Sequence, residues 1–307
     1  MTARTTPHKR TASQAKRHVI ADHARVDPTH CLADGLFRPL FRGKADNPLA
    51  IHYRFKGYVF HWQAPSPLGI NEQSVFLAVL RLAAIKHRQK NVDDKNDDPK
   101  LLEARQALGL ESSAAQSPCI IIDTTLNELT RTIGREVNGQ SGKRIFDSLQ
   151  RLAQVKFYIE NAAQQNIFQC NLLSVIVDGK NLLIGISPKL CQSLTMKSPA
   201  SYIDMREQRA IESDITKRLH VWLSCWAGIA GKRGAVSLDN LIPHVWGNTA
   251  TGDALYSRRQ KLRDAITELS KFAGWSVTLT DNGQLHVSIN PVDAGASIFS
   301  DVTSEKP

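Results

Sequence analysis

The most informative segment of this chain is 254–271, which reads ALYSRRQKLRDAITELSK. Its aliphatic residues recur at helical spacing and predict one buried helix face, made by Leu255, Leu262, Ile266 and Leu269. At 100° per residue, Gln260 points directly away from that face and Ser257 lies on its flank. The first half of the helix also presents four cations and almost no acid, namely Arg258, Arg259, Lys261 and Arg263. The segment therefore predicts an amphipathic helix with a basic solvent face.

A two-stranded hairpin is predicted directly after this helix. Residues 275–280 and 284–289 alternate between apolar and polar side chains, and Asp281, Asn282 and Gly283 between them are typical of a type I′ turn. A basic helix followed at once by a hairpin is the outline of a winged helix, in which the helix enters the major groove and the hairpin contacts the DNA backbone. The alternative is an ordinary amphipathic helix packed on a hairpin, with a solvated charged face.

The composition is that of a folded protein with a surplus of positive charge. The 307 residues are enough for two domains, and 42% hydrophobic with 22% charged residues is ordinary globular usage. The net charge of +10 and the pI near 9.5 favour a polyanionic partner, because each phosphate contact by Lys or Arg releases counterions. Charge alone does not separate DNA-binding proteins from ribosomal or membrane-surface proteins.

The five cysteines, at positions 31, 119, 170, 191 and 225, are widely separated and contain no Cys-x-x-Cys pair. This spacing excludes a zinc knuckle or a thioredoxin-like site and predicts reduced, buried thiols. The basic N-terminus has no apolar segment behind it, which argues against a secretory signal, and no run approaches the ~20 apolar residues of a membrane span. We therefore expect a cytoplasmic protein without a membrane partner.

Two blocks with the same order of elements lie between two polar tails. In both, a short helix, a turn, a second helix and a hairpin follow each other, which is the order of a winged helix. The predicted fold class is α+β with tandem winged-helix domains, since repetition of a unit of this length indicates duplicated domains. The predicted divisions are a basic flexible tail at 1–24, an N-terminal winged-helix domain at 25–190 with a polar insertion at 91–118, a C-terminal winged-helix domain at 200–292 and a polar tail at 293–307.

The first block contains a second candidate DNA-binding helix. Its predicted elements are a strand-like stretch at 51–62, a helix at 71–89 capped by Asn71, a short helix at 100–108, a strand at 119–122, a short helix at 126–133, a helix from Ser141 to about Val155, and strands at 155–160, 167–177 and 181–187. The helix from Ser141 carries Lys143, Arg144 and Arg151, which we expect at the DNA backbone. Asp147 weakens the positive electrostatic field of this helix. The alternative is that this block serves only dimerisation or partner docking.

The second block begins with a long helix at 211–226 and a turn at 231–236 that carries Lys232 and Arg233, two further candidate DNA contacts. A short helix at 238–246, capped by Ser237, leads to the basic helix. We predict that Ser257 and Gln260 lie closest to base edges, whereas Arg258 contacts a phosphate because it turns partly toward the core. The remaining cations that should hold DNA are Arg259, Lys261 and Arg263.

Signatures of catalysis are missing from the sequence. Residues 139–144, GQSGKR, are similar to a phosphate loop, but Val137 stands where the first glycine is required and Arg144 replaces the serine or threonine. The histidines form neither a His-x-His pair nor a His-Glu-x-x-His motif, and no Gly-x-Ser-x-Gly elbow occurs. We expect His220 to be a partly buried structural histidine, and we expect no enzyme activity, no cofactor and no metal site.

Segment 23–38, HARVDPTHCLADGLFR, closely resembles the N-terminal signature of the RepC replication initiators of IncQ-type plasmids. Shorter stretches are similar to the same family and keep its order: PLG at 67–69, IGREV at 133–137, RLH at 218–220, HVW at 244–246, RRQ at 258–260, RDA at 263–265 and GWSV at 274–277. The chain departs from the family pattern in a longer basic N-terminus, the 91–118 segment and a longer C-terminal tail. Tyr256 and Ser257 also stand where the relative is more basic.

The resemblance implies a tandem winged-helix initiator in the bacterial cytoplasm. Such a protein binds directly repeated origin sequences, called iterons, as double-stranded DNA and opens the origin for a plasmid-encoded helicase and primase. We expect a monomer on each iteron, with a dimer off DNA left open, and opening without ATP hydrolysis by this chain. The alternatives are a winged-helix transcriptional regulator and, from another class, a nicking or strand-transfer enzyme.

Overall fold

The computed structural model describes residues 22–40, 47–227 and 235–290, which form a mixed α/β fold with several sheets. The helices of this part of the chain are α1 (Pro28–Leu32), α2 (Ile70–Ala83), α3 (Pro99–Gln106), α4 (Leu126–Thr132), α5 (Gly139–Ala153), α6 (Pro188–Leu194), α7 (Met205–Ala210), α8 (Asp214–Ala227), α9 (Leu238–Trp246) and α10 (Gly252–Leu269). The strands are β1 (His23–Val26), β2 (Leu49–Phe55), β3 (Tyr58–Ala64), β4 (Lys90–Val92), β5 (Glu111–Ser112), β6 (Cys119–Thr124), β7 (Lys156–Glu160), β8 (Asn166–Asn171), β9 (Leu173–Asp178), β10 (Asn181–Ile186), β11 (Ser201–Asp204), β12 (Val236–Ser237), β13 (Trp275–Leu279) and β14 (Gln284–Ile289).

These strands form antiparallel sheets that divide between the two blocks. The first block holds a five-stranded sheet of order β2-β3-β7-β8-β5 and a four-stranded sheet of order β4-β6-β10-β9. The second block holds a three-stranded sheet of order β12-β14-β13. A two-stranded sheet pairs β1, at the start of the described chain, with β11 at residues 201–204.

The larger hydrophobic core surrounds α2 in the first block. Almost every side chain of this helix is buried, including Phe76 and Leu80 at no more than 1% exposed. The inner face of the five-stranded sheet contributes Phe60, Trp62 and Phe157 to the same core. A helix that is apolar on most sides must lie inside a domain, which explains why α2 sits between the sheets and α5.

The segment at 91–118, predicted as a polar insertion, contributes strands to two sheets. Asp98 caps α3 by accepting a hydrogen bond from the backbone N–H of Lys100 (3.0 Å), and this helix lies within the predicted range 100–108 but for its first residue. A small separate core lies beneath α3 and is made by Val92, Leu101, Ala104, Leu108, Cys119, Ile121 and Leu183. The polar composition of the segment therefore hides one buried apolar stripe.

The second block packs α8, α9 and α10 with the three-stranded sheet around its own core. Ser237 caps α9 as predicted, because its hydroxyl accepts from the backbone N–H of Asn240 (3.2 Å). Gly247 ends the helix with a φ of 76°, a left-handed conformation that favours glycine. The core residues of this block are Ile211, Leu219, Trp222, Leu223, Val236, Leu238, Leu241, Ile242, Val245, Trp246, Leu262, Ala265, Ile266, Leu269, Phe272, Trp275, Leu285 and Val287, with Ala227.

Segment 23–37 joins the two blocks. The guanidinium of Arg218 on α8 is fully buried and donates to the carbonyl oxygens of Cys31 (2.9 Å), Ala33 (3.2 Å) and His244 (2.9 Å). Gly35 and Gly247 lie backbone to backbone, and a Cβ on Gly247 would stand 2.7 Å from the Gly35 Cα. The stretch that resembles the initiator signature therefore fastens α8 and the end of α9 to the first block.

Several element boundaries differ from the sequence predictions. The helix predicted at 71–89 is α2, which ends at Ala83 and is followed by a 3-10 turn at Lys86–Arg88. Asn71 is not its cap; Gly69 is, and its N–H donates to Glu72 Oε2 (2.8 Å). The helix predicted from Ser141 begins at Gly139, because Asn138 accepts from the Ser141 N–H (2.8 Å).

Two hairpin predictions also need correction. The stretch at 51–62 is not one strand but the hairpin β2–β3, whose central residues Lys56 and Gly57 have φ values of 51° and 81°, as a type I′ turn requires. The loop at 281–283 is not type I′, because Gly283 alone among its residues has positive φ. Its N–H donates to Thr280 O (2.9 Å), so this is a three-residue loop with a type I turn followed by a left-handed glycine.

Candidate nucleic-acid interface

The solvent face of α10 carries the polar and basic residues that the sequence predicted. Leu262, Ile266 and Leu269 are buried against the second-block core, which fixes the rotation of the helix. The opposite side is exposed and presents Ser257, Gln260, Lys261 and Arg263. The Gln260 amide donates to Asp264 Oδ1 one turn later (3.0 Å), so that side chain is already oriented along the helix.

Arg258 turns toward the loop that precedes α10 rather than toward solvent. Its guanidinium carbon lies 5.2 Å from the ring centre of Trp246, and Nη1 donates to Asn248 O (3.0 Å), Asn248 Oδ1 (2.9 Å) and Thr249 O (3.3 Å). Burial lowers the pKa of Arg258 from its ordinary value. The side chain thus fastens the entry of the helix, and its Nη1 is engaged within the protein.

Arg259 forms a bidentate ion pair with Asp239 in the first turn of α9. Nε donates to Asp239 Oδ1 (2.7 Å) and Nη2 donates to Asp239 Oδ2 (2.6 Å). The two side chains are 40% and 49% exposed. Their hydrogen bonds lower the pKa of Asp239 and raise that of Arg259, so both groups stay charged across the physiological range.

The hairpin β13–β14 lies beside α10 and presents a polar outer surface. Ser276, Thr278 and His286 are exposed, whereas Leu285 and Val287 face the core. Residues 275–290 contain neither lysine nor arginine. Between this helix and its hairpin, the basic side chains therefore lie on the helix, and the hairpin offers hydroxyl, imidazole and backbone groups.

The basic residues of α5 in the first block fall into two environments. Lys143 and Arg144 are exposed, on the side away from the buried Ile145 and Leu149. Arg151 instead donates from Nη2 to Glu72 Oε1 (2.6 Å), a carboxylate that is 2% exposed. An open depression of about 300 Å³ beside this pair is lined by Asn71, Arg144, Asp147, Ser148 and Arg151.

Glu72 accepts three hydrogen bonds, and two of them link α2 to α5. Its Oε1 accepts from the Ser148 hydroxyl (2.7 Å) as well as from Arg151, and its Oε2 accepts from the Gly69 N–H. A buried carboxylate needs such partners, because its desolvation is otherwise uncompensated. Arg151 therefore stabilises the packing of α2 against α5, and it also lines the depression.

The family description of replication protein C (RepC) matches residues 18–296. The chain belongs to the replication protein C family. This membership confirms the resemblance drawn from segment 23–38, and it places the protein among replication initiators, which bind DNA. A search of curated proteins gave no match.

Two crystal structures of RctB fragments are similar to this RepC-family protein. The first, of selenomethionine derivatives of domains 2 and 3, has a TM-score of 0.54 and 11% identity and covers 86% of this chain and 99% of that chain. The second, of domains 2–3, has a TM-score of 0.49 and 10% identity and covers 86% and 96%. At such low identity the first likeness shows the fold alone.

Other predicted residues of the RepC-family chain fall outside the interface or outside the described part. Lys232 and Arg233 lie outside the described residues, as do residues 1–21 of the predicted N-terminal tail and the whole predicted tail at 293–307. The strand β1 begins at His23, within the range predicted as the N-terminal tail. His220 is fully buried, whereas partial burial was predicted, and it contacts Glu207 Oε2 (2.7 Å) and Gln208 Nε2 (2.7 Å). All five cysteines are free, and Cys225 is the one that is half-buried rather than buried.

Sequence reasoning missed the partners of the basic residues in this RepC-family protein. Asp239 and Asn248 stand 20 and 10 positions before the arginines they hold, and no local pattern marks them. Glu72 is separated from Arg151 by 79 positions. The position of Tyr256, by contrast, follows from local spacing. Its side chain is 72% exposed on α10, and helical spacing alone places it on the polar side.

Two further searches of the described residues gave negative results. Within 22–40, 47–227 and 235–290, no group of three or more His, Cys, Asp or Glu side chains is arranged to hold a metal ion. No helix in these ranges combines the length and the apolar character that crossing a membrane needs.

Proposed function

We propose that this protein is a plasmid replication initiator that binds iterons as double-stranded DNA through two winged helices. The observation that supports this proposal most is the basic, solvent-facing side of α10, which is followed at once by an antiparallel hairpin, in a member of a replication initiator family. A helix of this kind fits the major groove of B-DNA, where base edges are distinguishable.

The two blocks repeat the required order of elements. In the second block, α9, α10 and β13–β14 take the positions of the first helix, the recognition helix and the wing. In the first block, α4, α5 and the hairpin β9–β10 occur in the same order, with β7 and β8 between α5 and the hairpin. Ser257 and Gln260 face base edges, and Lys143 and Arg144 contact backbone phosphates. The cations that border the groove in the second block are Arg259, Lys261 and Arg263.

The mechanism is mechanical rather than catalytic. The two blocks hold successive major-groove faces of one repeat, so the second block binds at high effective concentration once the first is seated. Monomers bound along direct repeats strain the DNA, and flexible AT-rich steps nearby yield first. The opened strands are then available to a plasmid-encoded helicase and primase. No cofactor takes part in this scheme, and the chain itself hydrolyses no ATP.

Selection from a pool of random duplexes, followed by affinity measurements, tests the DNA-binding part of the proposal. The wild-type protein should enrich one consensus that matches direct repeats in its origin, with an affinity that falls steeply with salt. The double change Arg259→Ala, Lys261→Ala should reduce the affinity for the consensus at least about tenfold, because charge-assisted bonds are worth about 1.5–3 kcal/mol each.

A matched control carries Lys86→Ala and Lys90→Ala, which remove the same charge from exposed positions in the first block. This control should bind the consensus nearly as well as the wild type. If the α10 double variant bound as tightly as the control variant, α10 would not be the recognition helix.

Permanganate footprinting separates an initiator from a transcriptional regulator. Thymines of the AT-rich segment beside the repeats should become reactive with this protein alone or with its helicase, whereas a regulator leaves them paired. Metal-dependent cleavage of supercoiled origin DNA would instead favour a nicking enzyme. Opening that strictly required ATP hydrolysis by this purified chain would contradict the mechanism.

A further inference from the structure

The ion pair between Arg259 and Asp239 uses one defined edge of the guanidinium group. Asp239 engages Nε and Nη2, which lie 2.7 Å and 2.6 Å from the two carboxylate oxygens. A guanidinium has five N–H donors in a planar fork, so the edge formed by Nη1 and the second hydrogen of Nη2 stays unused by Asp239. Within the described residues, no hydrogen bond from Arg259 Nη1 is present.

The unused edge is the one that recognises guanine. Guanine presents O6 and N7 as two acceptors in the major groove, and an arginine that approaches end-on donates to both. Arginine can also bind a backbone phosphate with either edge, and such a contact carries no sequence information. What decides between the two contacts is therefore the orientation of the side chain before DNA arrives.

Asp239 fixes that orientation from a neighbouring helix. It lies in the first turn of α9, where a carboxylate is favoured by the helix dipole, and α9 packs directly on α10. Both partners are about half exposed, so the pair reaches the surface where DNA would lie instead of being enclosed in the core. Another carboxylate on this surface, Asp264, accepts from the Gln260 amide and holds no arginine within the described residues.

We propose that Asp239 is a positioning residue that aims Arg259 at a guanine of the iteron and keeps it from the phosphates of unrelated DNA. This inference rests on the proposed function and assigns one base contact within it. Arg259 reads O6 and N7 through its free edge while Asp239 holds the other edge, and the pair persists in the specific complex. On unrelated DNA the same pair competes with phosphate for the guanidinium.

A base-pair scan of the selected consensus tests the proposal. Each base pair of the duplex is replaced in turn, and affinities are measured for the wild type, Arg259→Ala and Asp239→Ala. For the wild type, replacement of one particular G·C pair should lower the affinity roughly tenfold or more, as the loss of a bidentate contact does. With Arg259→Ala the same replacement should have no effect, which locates the contact.

Asp239→Ala should reduce the discrimination at that one pair to less than about threefold and raise the affinity for unrelated duplex about fivefold, the most that an exposed ion pair typically withholds. Asp239→Asn keeps one oxygen acceptor and should fall between. Asp264→Ala removes the same charge from the same surface and should keep the full discrimination. Thermal unfolding and circular dichroism of each variant verify the fold.

Failure of this inference is distinguishable from failure of the proposed function. If the wild type bound consensus and scrambled duplexes alike, the proposed function would be wrong. If the wild type were specific but Asp239→Ala retained the discrimination, or Asp264→Ala lost it equally, the positioning role of Asp239 would be overturned.

Discussion

The two basic helices hold their arginines with ion pairs of the same length in opposite environments. In the first block, Arg151 on α5 donates to Glu72, which is 2% exposed, over 2.6 Å. In the second block, Arg259 on α10 donates to Asp239, whose side chain is 49% exposed, also over 2.6 Å. Distance alone would rank the two pairs as equal.

Solvent access decides what each pair contributes. A buried carboxylate that loses its cation remains desolvated and unpaired, so Glu72 commits Arg151 to the packing of α2 against α5. An exposed carboxylate is rehydrated at little cost, so Asp239 leaves Arg259 able to engage DNA. An arginine–carboxylate ion pair therefore stabilises the fold in the first block and orients a surface side chain in the second.

The largest expected difference between the two ion pairs is in stability, and removing each carboxylate in turn tests it. Glu72→Ala leaves the Ser148 hydroxyl and the Gly69 N–H without their acceptor, so we expect the free energy of unfolding to fall by about 3 kcal/mol. Asp239→Ala should cost less than about 1 kcal/mol, as an exposed pair does. Urea unfolding followed by circular dichroism measures both.

Ser148→Ala is the control for the first block, since it removes one of the three bonds to Glu72 and keeps the charge. It should cost about 1 kcal/mol. Equal losses for Glu72→Ala and Asp239→Ala would show that burial does not separate the two ion pairs.

A second, smaller effect should separate the blocks in DNA binding. Lys143 and Arg144 are exposed on α5, and the wing of that block, β9–β10, adds the exposed Lys180, whereas the second hairpin has no cation. Lys143→Ala with Arg144→Ala should weaken consensus and unrelated duplexes alike, roughly tenfold, and lower the slope of log affinity against log salt by about 1.8 for two lost phosphates.

Gln260→Ala supplies the contrast in the second block, where it should weaken only the consensus. Should the α5 double variant lose affinity for the consensus while keeping it for unrelated DNA, the first block would read bases. The division of labour between the blocks would then be the reverse of the one proposed.

Local patterns in the sequence placed α9 and α10 of the second block, whereas β11 and α7 were not predicted and the helix predicted at 211–226 begins at Asp214. The spacing of Leu262, Ile266 and Leu269 placed α10 and its buried face, and Ser237 marked the start of α9. The turn at 281–283 was assigned to the wrong type, because Asn-Gly favours type I′ in a two-residue loop, whereas the strands here are joined by three residues. Backbone registry, not composition, decides the turn.

Tertiary partners could not be predicted from the same patterns. Arg218 lies on an amphipathic helix where a solvated cation would be ordinary, yet it is fully buried against three carbonyls. The contact between Gly35 and Gly247 joins residues more than 200 positions apart. The basic residues of the interface were found from charge and spacing, but Glu72 and Asp239, which assign them different roles, were not. Whether a cation serves DNA or the fold depends on such distant neighbours.

The smallest expected effect concerns Arg258, which was predicted to contact a phosphate and which, in the structure, fastens the loop before α10 against Trp246 and Asn248. Arg258→Gln should cost about 1 kcal/mol of stability and weaken binding to all duplexes only severalfold, because the helix entry loses one stacking contact and its hydrogen bonds.

Arg258→Lys decides between the two roles. A lysine would preserve a phosphate contact, but it lacks the planar fork that serves both carbonyl oxygens and the ring face. We therefore expect Arg258→Lys to lose as much as Arg258→Gln, with the salt dependence of binding unchanged. If Arg258→Lys bound DNA with wild-type affinity, the role of Arg258 would be the predicted phosphate contact.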